Sequence, residues 1–246
     1  MKDKDQPLTE QEKTLLRQMV GSLNWVVRAT RPDLSYDLID LSTRFNNGTV
    51  EDLKRARKCL GNLKQNRADI KIPNLIKLSS TDIFCFTDAA MGNLNNKVDS
   101  CGGYVIFLVN KNNGLCAPIE WKANKVQRVV LSSLAAETLS LYDGLDAALG
   151  IRNLLQNLLG NYGEDIKVVA FVDNKSLTEA IYSMTAVSEV RLRREIAVIK
   201  EMIRSGGVRM IKWIPGQSQL ANVLTKKGQS GADLLQVLQE GRMSLN

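Results

Sequence analysis

The sequence predicts an α/β protein, a mixed β-sheet flanked by helices and preceded by a small helical subdomain. Three observations carry this reading. Residues 8–66 repeat apolar side chains at helical spacing between capping and breaking signals. From about residue 79, β-branched and aromatic runs separated by short turns read as a three-stranded meander. Beyond it strands and helices alternate, which implies a mixed sheet covered by helices.

Taken in order, Thr9-Glu-Gln-Glu12 offers a capping box for a first helix built on Leu15, Leu16, Met19, Val20, Leu23 and Val26/Val27. Arg31-Pro32-Asp33 interrupts it, because proline disfavours a helical residue before it. A second helix is expected over Leu34–Phe45, ended by Asn46-Asn47-Gly48. Thr49 caps a third from Val50 to about Leu63, with Lys54, Arg55, Arg57 and Lys58 forming a basic face. Ile83–Phe86 is the first strand, Met91–Ser100 a polar loop, and Gly102–Val109 the second strand. Asn112-Asn113-Gly114 is a hairpin turn into Ala117–Trp121. Ser132-Ser133 precedes a long helix reaching about Leu159. Ile166–Val172 has the unbroken apolar character of a strand covered on both faces. Helices over Ser176–Met184 and Val190–Ile203, a strand over Val208–Ile214, a helix over Gln217–Lys226 and a terminal segment at Asp233–Leu238 complete the chain. The expected division is 1–78 for the helical part and 79–246 for the sheet domain with its helical tail.

Composition narrows the chemistry. The 246 residues are 44% apolar, enough for a core, and 33 Lys+Arg against 26 Asp+Glu give a net charge of +7, which suits a polyanionic partner. There is no histidine, so Ser-His-Asp and Cys-His nucleophiles and imidazole-based zinc sites are excluded. The four cysteines, Cys59, Cys85, Cys101 and Cys116, show no Cys-x-x-Cys spacing and read as buried, reduced thiols. Neither a secretory h-region nor an apolar run near the roughly 20 residues of a membrane span is found. An intracellular location, cytoplasmic or nuclear, is expected, with no membrane partner.

Three acids stand in apolar surroundings. Asp88 ends the first strand, where a turn or cap is the plainer role. Glu137 lies one turn into the long helix, and Leu134 three residues before it rules out a capping box. Asp173 ends the central strand, where it could also serve as an N-cap. If the first and central strands are neighbours, Asp88 and Asp173 emerge together and Glu137 can face them. An oxygen-only cluster favours Mg²⁺ or Mn²⁺, and the natural chemistry is phosphodiester hydrolysis with two ions.

Several motifs together resemble one family. Thr87-Asp88-Ala89, Leu134-Ala-Ala-Glu137-Thr-Leu, Phe171-Val-Asp173-Asn-Lys-Ser, Arg191-Leu-Arg-Arg-Glu-Ile and Trp213-Ile-Pro-Gly-Gln-Ser-Gln-Leu-Ala-Asn222-Val-Leu-Thr-Lys look like the ribonuclease H domain of Ty1/copia-type retrotransposon Pol polyproteins. Met19-Val-Gly-Ser-Leu-Asn-Trp and Thr30-Arg-Pro-Asp33 resemble the segment connecting that domain to reverse transcriptase. The resemblance implies a ribonuclease H-like fold, with Mg²⁺-dependent hydrolysis of the RNA strand of RNA–DNA hybrids. It implies the reverse-transcriptase domain of the same polyprotein as a partner. It carries Asp88, Glu137 and Asp173 over as metal ligands for two ions. At the family's fourth acidic position this chain has Asn222, which keeps an oxygen but removes a charge. The competing expectation is an impaired or co-opted domain that binds nucleic acid or a protein. Lys122, Lys125, Arg128, Arg191, Arg193 and Arg194 are the expected hybrid contacts, through phosphate and 2′-OH groups. Trp121 and Trp213 are expected in the core.

Overall fold

The computed structural model describes residues 3–75, 80–94, 97–160, 166–184 and 189–244. The capping box forms as expected: the Glu12 N–H donates to Thr9 Oγ1 and the Thr9 N–H to Glu12 Oε2. It starts α1 (Glu10–Ala29), which buries Leu16, Val20, Leu23 and Val27. Pro32 opens a 3-10 turn, and Arg31 is fixed there by Asp33 at 2.7 Å and by the Asn66 carbonyl at 2.7 Å. Helix α2 (Ser35–Ser42) is shorter than the expected 34–45 span, and α3 (Val50–Gln65) starts from a second capping box, Thr49 with Asp52. The three helices share one apolar core. Of the basic face expected on α3, Arg55 is committed to Asp37 at 2.9 Å and buried Asp40 at 2.7 Å; Lys54, Arg57 and Lys58 are exposed.

The sheet contains β1 (Thr81–Leu94), β2 (Asp99–Asn110), β3 (Cys116–Lys125), β4 (Val168–Val172) and β5 (Val208–Trp213), in the order β3-β2-β1-β4-β5. Antiparallel pairing joins β1, β2 and β3, and parallel pairing joins β4 to β1 and to β5. This is the mixed five-stranded sheet flanked by helices of a ribonuclease H-like fold. Helix α4 (Ser133–Leu159) and α6 (Arg193–Arg204) cover one face with α5 (Lys175–Tyr182) beside them. The short α7 (Asn222–Thr225) and α8 (Ala232–Glu240) cover the other. The helical unit meets the sheet where the Trp121 indole donates to the Val27 carbonyl at 2.8 Å and the Tyr36 hydroxyl to the Asn93 carbonyl at 3.0 Å. The expected boundary at 78/79 lies outside the described residues. All four cysteines are free and buried.

Several expectations are corrected. Of the described residues in the polar stretch 91–100, 91–94 and 99–100 belong to strands: β1 runs on to Leu94, which pairs with Asp99 beyond a register shift after Ala90 and a Gly92 with φ +60°. Polar side chains hold this end of the hairpin, the Gly92 N–H donating to Ser100 Oγ at 3.0 Å and the Cys101 N–H to Asn93 Oδ1 at 3.2 Å, so composition hid it. Asp88 therefore lies within a 14-residue strand and not at its end. The helix expected over Gln217–Lys226 is a 3-10 turn at Gly216–Ser218 followed by the four-residue α7. Residues 190–192 are likewise 3-10 before α6 begins. Trp121 is half-buried, whereas Trp213 is 44% exposed and outside the core.

Helix α4 can lie close to the sheet because of glycine. A Cβ on Gly144 would meet Thr87 Cγ2 at 2.6 Å and Cys85 Sγ at 3.0 Å. Ser140, one turn earlier, stitches the same contact: its hydroxyl donates to the Asp88 carbonyl at 2.7 Å and accepts from the Gly103 N–H at 3.1 Å. Gly144→Ala should therefore destabilise the protein by about 1–3 kcal/mol through overpacking, despite alanine's better helix propensity. Gly150→Ala, in the same helix with nothing within 4 Å of the added carbon, should stabilise it by up to about 1 kcal/mol. Urea unfolding of the two variants checks the pair, and equal effects would contradict the packing argument.

Candidate metal centre

The site follows from register. Phe86 of β1 pairs in parallel with Phe171 of β4, and Asp88 and Asp173 each lie two residues further on. The two acids thus stand at the same level, Asp88 within β1 and Asp173 one residue past the end of β4. Asp173 is released from capping duty because Asn174 caps α5, accepting from the Leu177 N–H at 3.0 Å. Glu137 is likewise no cap: Ser132 caps α4 by accepting from the Ala135 N–H at 3.1 Å. With α4 held down by Gly144 and Ser140, Glu137 is carried toward the strand acids.

The three acids meet. One oxygen from each of Asp88, Glu137 and Asp173 lies within 4.8 Å of the others. Asp88 is fully buried and Glu137 only 6% exposed. Glu137 Oε2 has no hydrogen-bond partner among the described residues. An orphaned carboxylate oxygen in a buried, oxygen-only cluster is a donor set that suits a hard divalent cation. Burial, then the nearby Asp88 and Asp173, push the Glu137 carboxyl up to about 9. Burial also raises Asp88, against the pull of Lys226 and Thr225.

Lys226 and Thr225 were not expected at the site. Lys226 Nζ donates to Asp88 Oδ1 at 2.9 Å and lies 3.9 Å from Asp173 Oδ2. The Thr225 hydroxyl donates to Asp88 Oδ2. Burial works to lower the Lys226 pKa, but Asp88, Asp173 and Glu137 outweigh it and hold the ammonium above its ordinary value. Asn222 donates through Nδ2 to the Gly216 carbonyl at 2.6 Å and presents Oδ1 to Lys226. Gln219, 4% exposed, anchors this segment: its amide donates to the Thr87 carbonyl at 3.0 Å and the Phe171 carbonyl at 3.2 Å, bridging the strands that carry the two aspartates. The exposed Trp213 indole donates to the Asp173 carbonyl at 3.0 Å. In the sequence, the spacing of Lys226 four residues after Asn222 was a signal, but it reads equally as surface helix. A buried glutamine among apolar neighbours gives no signal.

The expected nucleic-acid contacts are spread over β3, the segment before α4 and the start of α6. All six are exposed. Arg128 and Arg194 line one cleft of 410 Å³ with Asn124, Gln127 and Asp143, and Arg128 is ion-paired with Glu195. Lys122 lines a separate cleft against Asn24 and Arg28 of α1. Lys125 is paired with Asp99 at 2.7 Å. Arg191 and Arg193 line neither cleft.

The raised Glu137 carboxyl makes a pH prediction. A carboxyl whose folded pKa exceeds its unfolded value stabilises the fold fully below the unfolded value, and that contribution is lost as pH rises toward the folded one. In chelator, the Tm of the wild type should fall relative to Glu137→Gln as pH climbs from about 4.5 to about 9. Saturating Mn²⁺ should narrow the gap at the upper end. A gap independent of pH would refute a buried, repelled Glu137.

No protein-family model matches the chain. It is 27% identical over 217 residues to the retrovirus-related Pol polyprotein from transposon RE2 of Arabidopsis thaliana, and 27% over 222 residues to that from RE1. Each alignment takes in 87% of this chain but 14% of the polyprotein, so the chain spans a small part of these relatives. A transposon Ty5-1 protein of Saccharomyces cerevisiae is 30% identical over 118 residues, 48% of this chain and 35% of that one. Among solved structures, an RNase H1 isolated from compost by a metagenomic approach gives a TM-score of 0.41 at 15% identity, covering 65% of this chain and 96% of that one. The N-terminal RNase H domain of a Mycobacterium tuberculosis protein gives 0.41 at 18%, covering 64% and 97%. The fold assignment rests on strand order and pairing. The sequence relatives bear out the kinship that the motifs implied: the chain is homologous to a stretch of copia-type retrotransposon Pol polyproteins.

Proposed function

We propose that this chain is a divalent-metal-dependent ribonuclease acting on the RNA strand of RNA–DNA hybrids, the ribonuclease H portion of a copia-like Pol protein. Residues 79–246 would form the nuclease domain, and 1–78 the connection to a reverse-transcriptase domain. The observation that carries this reading is the convergence of Asp88, Glu137 and Asp173 from β1, α4 and β4 around an unpartnered buried oxygen. Asp88 and Asp173 would hold a cation from the strand side and Glu137 from the helix side. A bound Mg²⁺ or Mn²⁺ would supply a water of lowered pKa and neutralise charge on the phosphate. Lys226 would steady Asp88. Ser140 and Gln219 would position the acids through the backbone of β1 and β4. The exposed cations on β3, before α4 and around the start of α6 would meet phosphates on separate parts of a duplex.

A second reading has its own support. Asn222 in place of an acid, and an ammonium already paired with Asp88, favour a domain that binds nucleic acid or a protein partner with little or no cleavage.

Incubating the protein with labelled RNA–DNA hybrid, duplex DNA and single-stranded RNA in Mg²⁺, Mn²⁺ or chelator separates the two. Metal-dependent cutting of the hybrid alone, lost in Asp88→Asn, is expected; hybrid binding without cutting selects the second reading. Replacing Arg128 and Arg194 together by alanine should flatten the salt dependence of hybrid affinity by about one unit of log–log slope per lost phosphate contact. An unchanged slope would remove these two from the interface.

A further inference from the structure

The cation content of the site can be taken further, on the footing of the proposed metal-dependent reading. Ionised, as metal ligands must be, Asp88, Glu137 and Asp173 carry three negative charges. Asn222 adds none. Lys226 brings one positive charge into the cluster, 2.9 Å from Asp88 and 3.9 Å from Asp173. Two negative charges remain, which one divalent ion neutralises.

The hydrogen bonding is asymmetric in the same sense. Both oxygens of Asp88 are engaged from the α7 side, Oδ1 by Lys226 and Oδ2 by Thr225. The orphaned oxygen is on Glu137, which comes from α4. Asn222 suits the ammonium in both of its polar atoms. Its NH₂ is used by the Gly216 carbonyl, so its oxygen is turned to Lys226. An aspartate there would set a carboxylate oxygen against that carbonyl with no proton between them. The segment is anchored by buried Gln219 to both strands.

We propose that Lys226 is the site's second cation: its ammonium fills the place bounded by Asp88, Asp173 and Asn222, and the carboxylates then bind a single divalent ion. The chain departs here from the two-ion site that its motifs imply, and it does so with a tethered charge that does not dissociate.

Calorimetric titration with Mn²⁺, alongside electron paramagnetic resonance of the bound ion, counts the sites without reference to activity. Wild-type protein should bind one Mn²⁺ per chain in a saturable step that Asp88→Asn abolishes. Lys226→Met and Lys226→Gln should bind a second ion, or the first about ten-fold more tightly, because an adjacent positive charge has gone. Lys226→Arg should stay at one. Two ions in the wild type, or neutral variants that match it in number and affinity, overturn the role of Lys226 while leaving a metal-dependent site standing. No saturable Mn²⁺ binding in the wild type overturns the metal reading and this inference with it. The wild-type count needs no variant to fold.

Discussion

Parallel pairing of β1 with β4 forces two carboxylates to the same level of one sheet, and most of the structure near them answers that repulsion. Asp88 and Asp173 lie on adjacent strands two residues past the Phe86–Phe171 pair. Neither can move away without breaking the centre of the sheet, where Phe86 and Phe171 stack at 4.6 Å between ring centroids. Bringing Glu137 beside them on α4 adds a third charge in a buried setting, where desolvation is costly. The close approach of α4 at Gly144 and the anchoring of residues 216–226 by Gln219 hold the cluster in place. Without Lys226, Asp88 would be a buried carboxylate facing two others with only a hydroxyl to answer it.

The charged cluster and the apolar core are therefore parts of one design. Ser140 and Gln219 contact backbone carbonyls and no carboxylate, yet they fix where the acids sit. Ser140 engages the Asp88 carbonyl within β1, and Gln219 engages the Thr87 carbonyl of β1 and the Phe171 carbonyl of β4. The same hydrogen bonds stabilise the sheet and aim its acids. Changes at Ser140 or Gln219 would act on the site by way of the fold.

Much of this architecture was legible in the chain, because apolar spacing and caps are local. The Thr9/Glu12 and Thr49 caps, the Asn112-Asn113-Gly114 turn and the long helix after Ser132 all came from such signals, whereas the adjacency of the first and central strands entered as a condition that the parallel β1–β4 pairing meets. The three acids could be picked out because each sat where capping explained it incompletely or not at all. What escaped depends on tertiary contact. Residues 91–94 extend β1 across a register shift, held by the Leu94–Asp99 pair and by side-chain bonds of Ser100 and Asn93 to the Gly92 and Cys101 N–H groups, which composition does not report. The amphipathic spacing of Leu220, Val223 and Leu224 suggested a continuous helix, but Gln219 turns inward to bridge two strands and the segment breaks around it. Lys226 looked like surface because a lone lysine normally is, and only the fold brings Asp88 to it. Trp213 looked like core by residue type, although its indole is held at the rim by the Asp173 carbonyl.

The four buried thiols divide along the same lines as the structure. Cys59 belongs to the core of α1–α3, Cys85 and Cys116 are sealed in the two cores of the sheet, and Cys101 packs with Tyr36 and Ile39 of α2 where the two parts meet. Burial pushes Cys59 up to about 11 and Cys101 and Cys116 to about 12, so none forms an appreciable thiolate while folded. A thiol reagent can reach each only when its surroundings open. The chain thus carries built-in clocks for local opening, one in the helical unit, two in the sheet and one at their junction. Their relative rates would tell whether the two parts breathe together or whether the helices loosen while the acid-bearing sheet stays shut.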